Sequence, residues 1–138
     1  MPNDTIYTTL LETPNIATYQ HLRVAAGLSP KSMEAAARGL PNSLFAVQVL
    51  HGKDVVGMGR VIGDDGCFYQ VVDIAVLPEH QGQGLGKRIM QEIRNYIDAS
   101  VPKSAYVSLI ADGQAPALYA QFGFTHTAPA SVGMALKR

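Results

Sequence analysis

The fold is decided by one stretch of the chain, Val72-Asp-Ile-Ala-Val-Leu-Pro-Glu-His-Gln-Gly-Gln-Gly-Leu-Gly-Lys-Arg-Ile-Met90. It begins as an apolar run typical of a β-strand, breaks at Pro78 and passes through three alternate glycines. An amphipathic helix with Lys87 and Arg88 in its first turn follows. A strand, a glycine-rich turn and a helix N-terminus form an anion site, because the backbone N–H groups point outward and the helix dipole attracts negative charge. The stretch therefore predicts a phosphate-binding loop.

Length and composition limit the classes of protein to which the chain can belong. The 138 residues predict a single domain, spanning 1–138, that is large enough to bury a core. The 11 basic and 11 acidic side chains balance and form no basic block, which argues against a general nucleic-acid binder. No apolar run approaches the roughly 18 residues of a membrane span, and no signal-peptide pattern opens the chain. With Cys67 as the single cysteine, we expect a cytoplasmic protein without nucleic-acid or membrane partners.

The hydrophobic pattern predicts a mixed α/β fold in the order β-α-α-β-β-β-α-β-α-β-β. The predicted strands are 5–11, 43–50, 55–62, 67–77, 105–110, 124–127 and 132–136. The predicted helices are 14–26, a short one capped by Ser29 and ending near Leu40, one from Leu85 to a stop at Pro102, and 115–121. We expect a sheet of six or seven strands, antiparallel in its first half, flanked by about four helices. A strand–helix–strand crossover joins 67–77 to 105–110, so these strands should form a parallel central pair.

Two common phosphate-loop templates fail on the glycine stretch. The P-loop pattern G-x-x-x-x-G-K-[ST] would need a glycine at Gln81 and a hydroxyl at Arg88. The dinucleotide pattern G-x-G-x-x-G places its third glycine at Lys87 or at Ile89, depending on the starting glycine. The antiparallel hairpins before the loop also differ from the start of a dinucleotide-binding fold.

A third template fits. Gln81-Gly-Gln-Gly-Leu-Gly86 resembles the Q/R-x-x-G-x-G/A loop of the GNAT acyltransferase superfamily, which binds the pyrophosphate of acetyl-coenzyme A. The preceding Val76-Leu-Pro-Glu79 resembles the V-x-P-E lead-in of the family. The later segment Ala115-Pro-Ala-Leu-Tyr-Ala-Gln-Phe-Gly-Phe124 is similar to its A-x-x-L-Y-x-x-x-G-F segment. The resemblance implies a GNAT-like sheet and an N-acetyltransferase that uses acetyl-CoA as cosubstrate.

By this resemblance, two segments bind acetyl-CoA. Main-chain groups of Ile74, Ala75 and Val76 would receive the pantetheine arm. The pyrophosphate would be held by the loop residues Gln81, Gly82, Gln83, Gly84, Leu85, Gly86 and Lys87. Asp112 occupies a position where many relatives carry asparagine, so it is a candidate contact for the cofactor or for a cationic amine. No metal is expected, because His21, His51 and His126 lack metal-ligand spacing.

The resemblance also implies catalytic roles. Tyr119 is the candidate general acid, whose hydroxyl would protonate the departing thiolate, and it would contact the cofactor. Asp73, a carboxylate within an apolar run, is the candidate general base, with a water chain as the alternative. Arg23 and Asp112 are candidate substrate contacts. A covalent intermediate on Cys67 is rejected, because no histidine is placed beside it in sequence and the family transfers the acyl group directly.

The expected reaction is the transfer of acetyl from acetyl-CoA to a primary amine, by direct attack in a ternary complex. The compact chain favours a small-molecule amine as acceptor. A protein N-terminus or lysine remains an alternative acceptor, and a non-catalytic coenzyme A sensor is an alternative of another class. Members of the superfamily are often dimers, and the sequence leaves a homodimer open.

Overall fold

One mixed sheet carries the fold of the computed structural model, which describes residues 6–111 and 115–138. The strands in these ranges are β1 (Tyr7–Leu10), β2 (Phe45–His51), β3 (Asp54–Gly63), β4 (Phe68–Val76) and β5 (Tyr106–Leu109). The α-helices there are α1 (Ile16–Ala25), α2 (Met33–Gly39), α3 (Leu85–Ser100) and α4 (Ala115–Ala120). Single 3₁₀ turns lie at Leu40–Asn42 and Pro78–His80. The strands follow one another in the order β1-β2-β3-β4-β5, antiparallel except for the parallel β4–β5 pair. This confirms the predicted mixed fold, whereas the parallel pair, predicted to be central, lies at one edge of the described sheet.

Side-chain caps set the starts of α1 and α2. The Asn15 side chain accepts a hydrogen bond from the Thr18 N–H at 2.8 Å, and the Ser32 hydroxyl accepts one from the Ala35 N–H at 3.0 Å. The prediction that Ser29 caps the second helix is wrong. Ser29 lies one turn upstream, where its carbonyl oxygen accepts a hydrogen bond from Arg23 at 2.7 Å.

Helix α3 covers the sheet and forms most of the core. Its predicted apolar side is buried, at Leu85, Ile89, Met90 and Ile93. Gly59 of β3 allows this close packing, because an added Cβ would lie 2.7 Å from the Ile89 Cγ2 atom. The glycine in the strand, which costs β-propensity, therefore brings α3 against the sheet.

A β-bulge in β4 opens the sheet. Met58 pairs with Ala75 and Arg60 with Val72, so two residues of β4, Asp73 and Ile74, face one residue of β3. Asp73 takes a left-handed conformation with φ of 60°, which is uncommon for a residue with a side chain. The described β4–β5 pairing ends at Val71 with Leu109, two residues before Asp73. The later part of β4 is therefore unpaired on its β5 side.

The two predicted C-terminal strands, 124–127 and 132–136, are not strands in the structure. The described sheet accordingly has five strands, where six or seven were predicted. Thr127 and Ser131 close a local turn instead, with the Ser131 N–H donating to the Thr127 carbonyl at 3.1 Å. Val132, Met134 and Leu136 alternate as in a strand but are exposed. Apolar alternation predicts a strand only where a sheet edge pairs with it, and none of the described strands does so here.

Candidate active site

The glycine loop joins β4 to α3 through two left-handed residues. Gly82 and Gly84 have φ of 79° and 78°, a region that glycine adopts at little cost. An added Cβ at either position would meet no atom within 4 Å from the described residues other than its chain neighbours. These glycines therefore serve the path of the backbone and leave the space outside the loop open.

The N-terminus of α3 has no side-chain cap. Gly84 is the N-cap residue, and the first turn carries no acidic residue. The first backbone bond into the helix runs from the Arg88 N–H to the Gly84 carbonyl at 3.1 Å, so the N–H groups of Leu85, Gly86 and Lys87 have no acceptor within the helix. These groups, the helix dipole and the exposed Lys87 side chain favour an anion at this end.

Neighbouring strands hold the loop in place. The Gln81 side-chain amide donates to the Val76 carbonyl at 3.1 Å, which ties the loop to the end of β4. Arg88 donates to the Tyr7 carbonyl at 2.9 Å and so joins α3 to β1. The Tyr7 hydroxyl and the His80 Nδ1 atom lie 2.8 Å apart. The loop is therefore anchored from two strands before any ligand binds.

The residues predicted to meet the pantetheine arm lie at the open side of β4. Ala75 is buried and pairs with Met58, and Val76 pairs with Gly57. On the side of β5, none of Ile74, Ala75 and Val76 has a described strand partner. An extended ligand can therefore lie along this edge, although the Val76 carbonyl already accepts the hydrogen bond from the loop.

The helix that carries Tyr119 packs beside the glycine loop. An added Cβ at Gly86 would lie 3.1 Å from the Leu118 Cδ2 atom, so this glycine lets α4 approach the first turn of α3. Arg94 of α3 donates to the Phe122 carbonyl at 2.7 Å, just beyond the end of α4. Tyr119 itself is half-buried. Its helix is thus held against α3 at Leu118 and just beyond its C-terminal end.

A cavity of about 500 Å³ lies where β4 and β5 separate. Its lining includes Tyr119 and Ile74 together with Tyr19, Arg23 and Arg60. Asp73 also lines this cavity. The structure therefore brings together four of the predicted site residues, Tyr119, Asp73, Arg23 and Ile74. Asp112 lies outside the described residues.

The Asp73 carboxylate is the centre of a buried charged cluster. Its Oδ1 atom accepts from the Arg23 Nη1 atom at 2.6 Å. Its Oδ2 atom accepts from the Arg60 Nε atom at 2.9 Å and from the Tyr19 hydroxyl at 3.0 Å. The Asp73 side chain is 5% exposed and each arginine side chain 10%. Three donors on one carboxylate hold the left-handed bulge of β4 in position.

The cluster also keeps Tyr19 protonated. Burial, and next the negative charge of Asp73, raise the pKa of Tyr19 above its ordinary value. The guanidinium carbons of Arg60 and Arg23 lie 5.5 and 6.0 Å from the centroid of the Tyr19 ring. The neutral hydroxyl is therefore a stable donor to Asp73.

Sequence reasoning missed Tyr19 and Arg60. Their contacts with Asp73 join residues 54 and 13 positions apart, so no local motif contains them. One signal was present, since Arg60 interrupts the apolar run of β3 and a buried arginine in a strand needs a carboxylate partner.

Two further properties of the described residues bear on function. Across 6–111 and 115–138, no group of three or more His, Cys, Asp or Glu side chains is arranged to hold a metal ion. No helix in the same ranges has both the length and the apolar character needed to cross a membrane.

Comparison with known families identifies the fold and its class. The family model described as an acetyltransferase (GNAT) domain matches residues 41–126, which is more than half of the chain. The chain therefore belongs to the GNAT acetyltransferase family, which uses acetyl-CoA as cosubstrate. This confirms the resemblance drawn from the glycine loop and the Tyr119 segment.

Solved structures agree. A Staphylococcus aureus protein described as a probable acetyltransferase is 48% identical, with a TM-score of 0.90 over 96% of this chain and 99% of its own. A GNAT-family acetyltransferase from Streptococcus pneumoniae is 27% identical, with a TM-score of 0.77 over 96% and 98% of the two chains.

Curated relatives match over shorter segments. A chloroplastic GCN5-related N-acetyltransferase 2 of Arabidopsis thaliana is 34% identical over 73 residues, 52% of this chain and 27% of that protein. The histone acetyltransferase TAP1 of Glycine max is 32% identical over 89 residues, 59% of this chain and 37% of that protein. The matched segments thus span well under half of these two relatives.

Proposed function

We propose that the protein transfers the acetyl group of acetyl-CoA to the primary amine of a small molecule, by direct attack in a ternary complex. One observation carries the proposal. A single cavity is lined both by Tyr119 and by the bulged part of β4, the strand that leads into the uncapped glycine loop. A donor bound along β4 and an acceptor in the cavity would meet at the bulge.

The residues of the glycine loop and of β4 are suited to bind acetyl-CoA, the acetyl donor. The loop residues from Gln81 to Lys87 would hold the pyrophosphate, since the N–H groups of the first helical turn have no acceptor within α3 and that turn carries no acidic residue. Ile74, Ala75 and Val76 would hold the pantetheine arm through backbone groups, with Tyr119 and Asp112 as further cofactor contacts. Acetyl-CoA supplies an activated thioester, and the chain supplies orientation and proton transfer.

The proposed step is a direct transfer of the acetyl group from the thioester sulfur to the amine nitrogen. The neutral amine attacks the acetyl carbonyl, a C–N bond forms and the C–S bond breaks. A backbone N–H of Ala75 or Val76 stabilises the negative charge that develops on the carbonyl oxygen. The Tyr119 hydroxyl gives its proton to the departing thiolate, and the proton lost by the amine leaves through a base.

The identity of that base is the open part of the mechanism. Asp73 is the predicted base and lines the cavity, but its carboxylate already accepts three hydrogen bonds. We propose that Asp73 positions the bulge while water takes the proton. Direct proton removal by Asp73 is the alternative, and the two differ in their dependence on pH.

The cavity supports a small acceptor. Its volume of about 500 Å³ lies within the roughly 300–1,000 Å³ of small-molecule sites. A protein acceptor is the second candidate, because one relative is named a histone acetyltransferase.

We further propose that residues 1–138 form one domain and that the protein works in the cytoplasm. Sedimentation would decide whether it forms a homodimer.

An acceptor screen tests the proposal. Release of free thiol from acetyl-CoA would be followed against polyamines, amino sugars, aminoglycosides, arylalkylamines and peptides, with calorimetric titration of acetyl-CoA in parallel. We expect binding of acetyl-CoA and turnover with at least one small amine. Turnover with peptides alone would favour the protein acceptor. Binding without turnover of any amine would contradict the enzyme and favour a coenzyme A sensor.

A further inference from the structure

The described lining of the cavity carries an excess of positive charge. Arg23, Arg60 and Lys31 line it, and Asp73 is the one carboxylate among its described lining residues. Most free amines arrive as cations at neutral pH. A bare alkylamine would therefore meet a net positive wall, whereas an amine that also carries a negative group would be attracted.

The two buried arginines differ in the donors they leave open. Arg23 uses all three guanidinium nitrogens within the protein, on Asp73 and on the carbonyl and hydroxyl of Ser29. Arg60 uses its Nε atom on Asp73 and its Nη1 atom on the Ser43 hydroxyl. The Arg60 Nη2 atom has no hydrogen-bond partner among the described residues. No buried side-chain nitrogen there lacks a partner, so this atom is accessible from the cavity.

The open donor of Arg60 is held rigidly. The residue is 8% exposed, and its guanidinium is fixed by Asp73, by Ser43 and by the ring of Tyr19. A donor that is already oriented loses little conformational entropy when it binds a ligand. Guanidinium N–H groups match the oxygens of carboxylates and phosphates in geometry as well as charge.

Lys31 adds a second cation at the rim. Its backbone is tied to α1, because the Lys31 N–H donates to the Gln20 side-chain oxygen at 3.0 Å and the Gln20 amide donates to the Lys31 carbonyl. Its side chain is exposed and lines the cavity. A ligand between Arg60 and Lys31 would therefore meet two positive groups on different elements of the fold.

We propose that the acceptor is an amine that also carries a carboxylate or phosphate group, bound by Arg60 and Lys31 while its amine faces Tyr119 and Ile74. This rests on the proposed acetyl transfer and names the chemical class of its acceptor. Arg23, predicted as a substrate contact, instead has the structural role of fixing Asp73. The anionic group thus selects the substrate at the end of the cavity away from the thioester.

Matched acceptor pairs test the proposal. Phenylalanine is compared with phenethylamine, lysine with cadaverine, and O-phosphoethanolamine with ethanolamine, by kcat/KM at saturating acetyl-CoA. In at least one pair the anionic member should be preferred by about tenfold or more, the worth of one charge-assisted hydrogen bond. The first two pairs report on a carboxylate and the third on a phosphate.

The outcomes distinguish failure of the anionic acceptor class from failure of the acetyl transfer itself. If bare amines are acetylated as well as their anionic partners or better, the anionic acceptor is wrong and the acetyl transfer stands. If acetyl-CoA binds and no member of any pair is acetylated, both the transfer to small amines and the acceptor class fail.

A charge reversal provides an independent readout. Lys31→Glu should lower the preference for the anionic member by about tenfold, and it should weaken competitive inhibition by 3-phenylpropionate, which has a carboxylate and no amine. Arg38→Glu is the matched control, because Arg38 is exposed, is paired with Glu34 and does not line the cavity. Equal effects of the two reversals would show a general field and overturn the assignment of Lys31.

Discussion

The proposed donor loop and the proposed acceptor site in the cavity both adjoin strand β4 but are built from different parts of the chain. The donor loop is made of backbone: two left-handed glycines and the uncapped start of α3, all between residues 81 and 88. The acceptor end is made of side chains that meet across the fold, with Tyr19, Arg23 and Arg60 gathered on Asp73.

Because of this difference, donor binding and acceptor choice can change independently when residues are substituted. A backbone site depends on conformation and tolerates side-chain change, so it preserves one donor. A side-chain cluster changes its ligand when one residue changes. Variants at the loop should therefore alter donor binding, and variants at the cavity should alter acceptor choice or rate.

The largest effect is expected for Gly84→Val. A valine at this left-handed position strains the backbone and places its side chain where the pyrophosphate would lie. We expect the acetyl-CoA Kd to rise by at least about a hundredfold, the loss of two charge-assisted hydrogen bonds. Gly27→Val is the control, since Gly27 has φ of 89° and open space but lies outside the loop. Normal titration of acetyl-CoA by Gly84→Val would refute the donor loop.

Tyr119→Phe tests the meeting point of donor and acceptor. Removing the hydroxyl takes away the proposed acid, and we expect kcat to fall by more than about tenfold. Acetyl-CoA affinity should remain nearly unchanged. Tyr106→Phe, at an exposed tyrosine of β5, is the matched control in the same steady-state assay. An unchanged kcat would remove Tyr119 from the acid role.

Asp73→Asn tests the acceptor cluster. It leaves two buried guanidinium groups without their carboxylate, so the free energy of unfolding should fall by about 3 kcal/mol. Glu34→Gln, which breaks an ion pair whose side chains are 80% and 77% exposed, should cost less than about 1 kcal/mol. Urea denaturation of both variants measures the contrast. Similar losses in the free energy of unfolding would show that the buried cluster contributes no more to stability than the exposed ion pair.

The same variant decides between a positioning residue and a base. If Asp73 positions the bulge, Asp73→Asn lowers kcat by about tenfold, an incomplete loss of orientation, and keeps the shape of the pH–rate profile. If Asp73 removes the amine proton, the profile loses the limb that reports the base. A lost limb would restore Asp73 to the catalytic role.

A smaller effect is expected from the hydroxyl of Tyr19. Its pKa is raised in the folded protein by burial and by Asp73, so its contribution to stability is fully present below its unfolded pKa of about 10. That contribution is lost as the pH rises through the higher folded pKa. The stability difference between the wild type and Tyr19→Phe should be constant between about pH 7 and 9 and shrink in more alkaline buffer. A difference that does not change with pH would contradict the hydrogen bond to Asp73.

Much of the donor half could be predicted because its signals are local. The glycine spacing, the break at Pro78 and the apolar side of α3 all lie within one stretch, and the structure places them as a strand, a turn and a helix. The acceptor half could not be predicted to the same degree. The bulge at Asp73 and its contact with Arg60 depend on the register of β3 against β4, which no residue pattern within a single strand specifies.

Errors of the sequence-based prediction have the same origin. Ser29 precedes a proline and looks like a helix cap, but its oxygen atoms bind Arg23 while Ser32 caps α2. The alternating segment 132–136 has the pattern of a strand, and whether it forms one depends on a neighbouring edge. In both cases a distant contact overrides a local preference.

The most direct test is a crystal structure of the protein with bound coenzyme A. We expect pyrophosphate oxygens within about 3 Å of the N–H groups between Gly84 and Lys87. We also expect the thiol beside Tyr119, in the cavity that Arg60 and Lys31 help to line. A pyrophosphate bound away from the loop, or a thiol remote from Tyr119, would contradict the assignment of donor and acceptor halves.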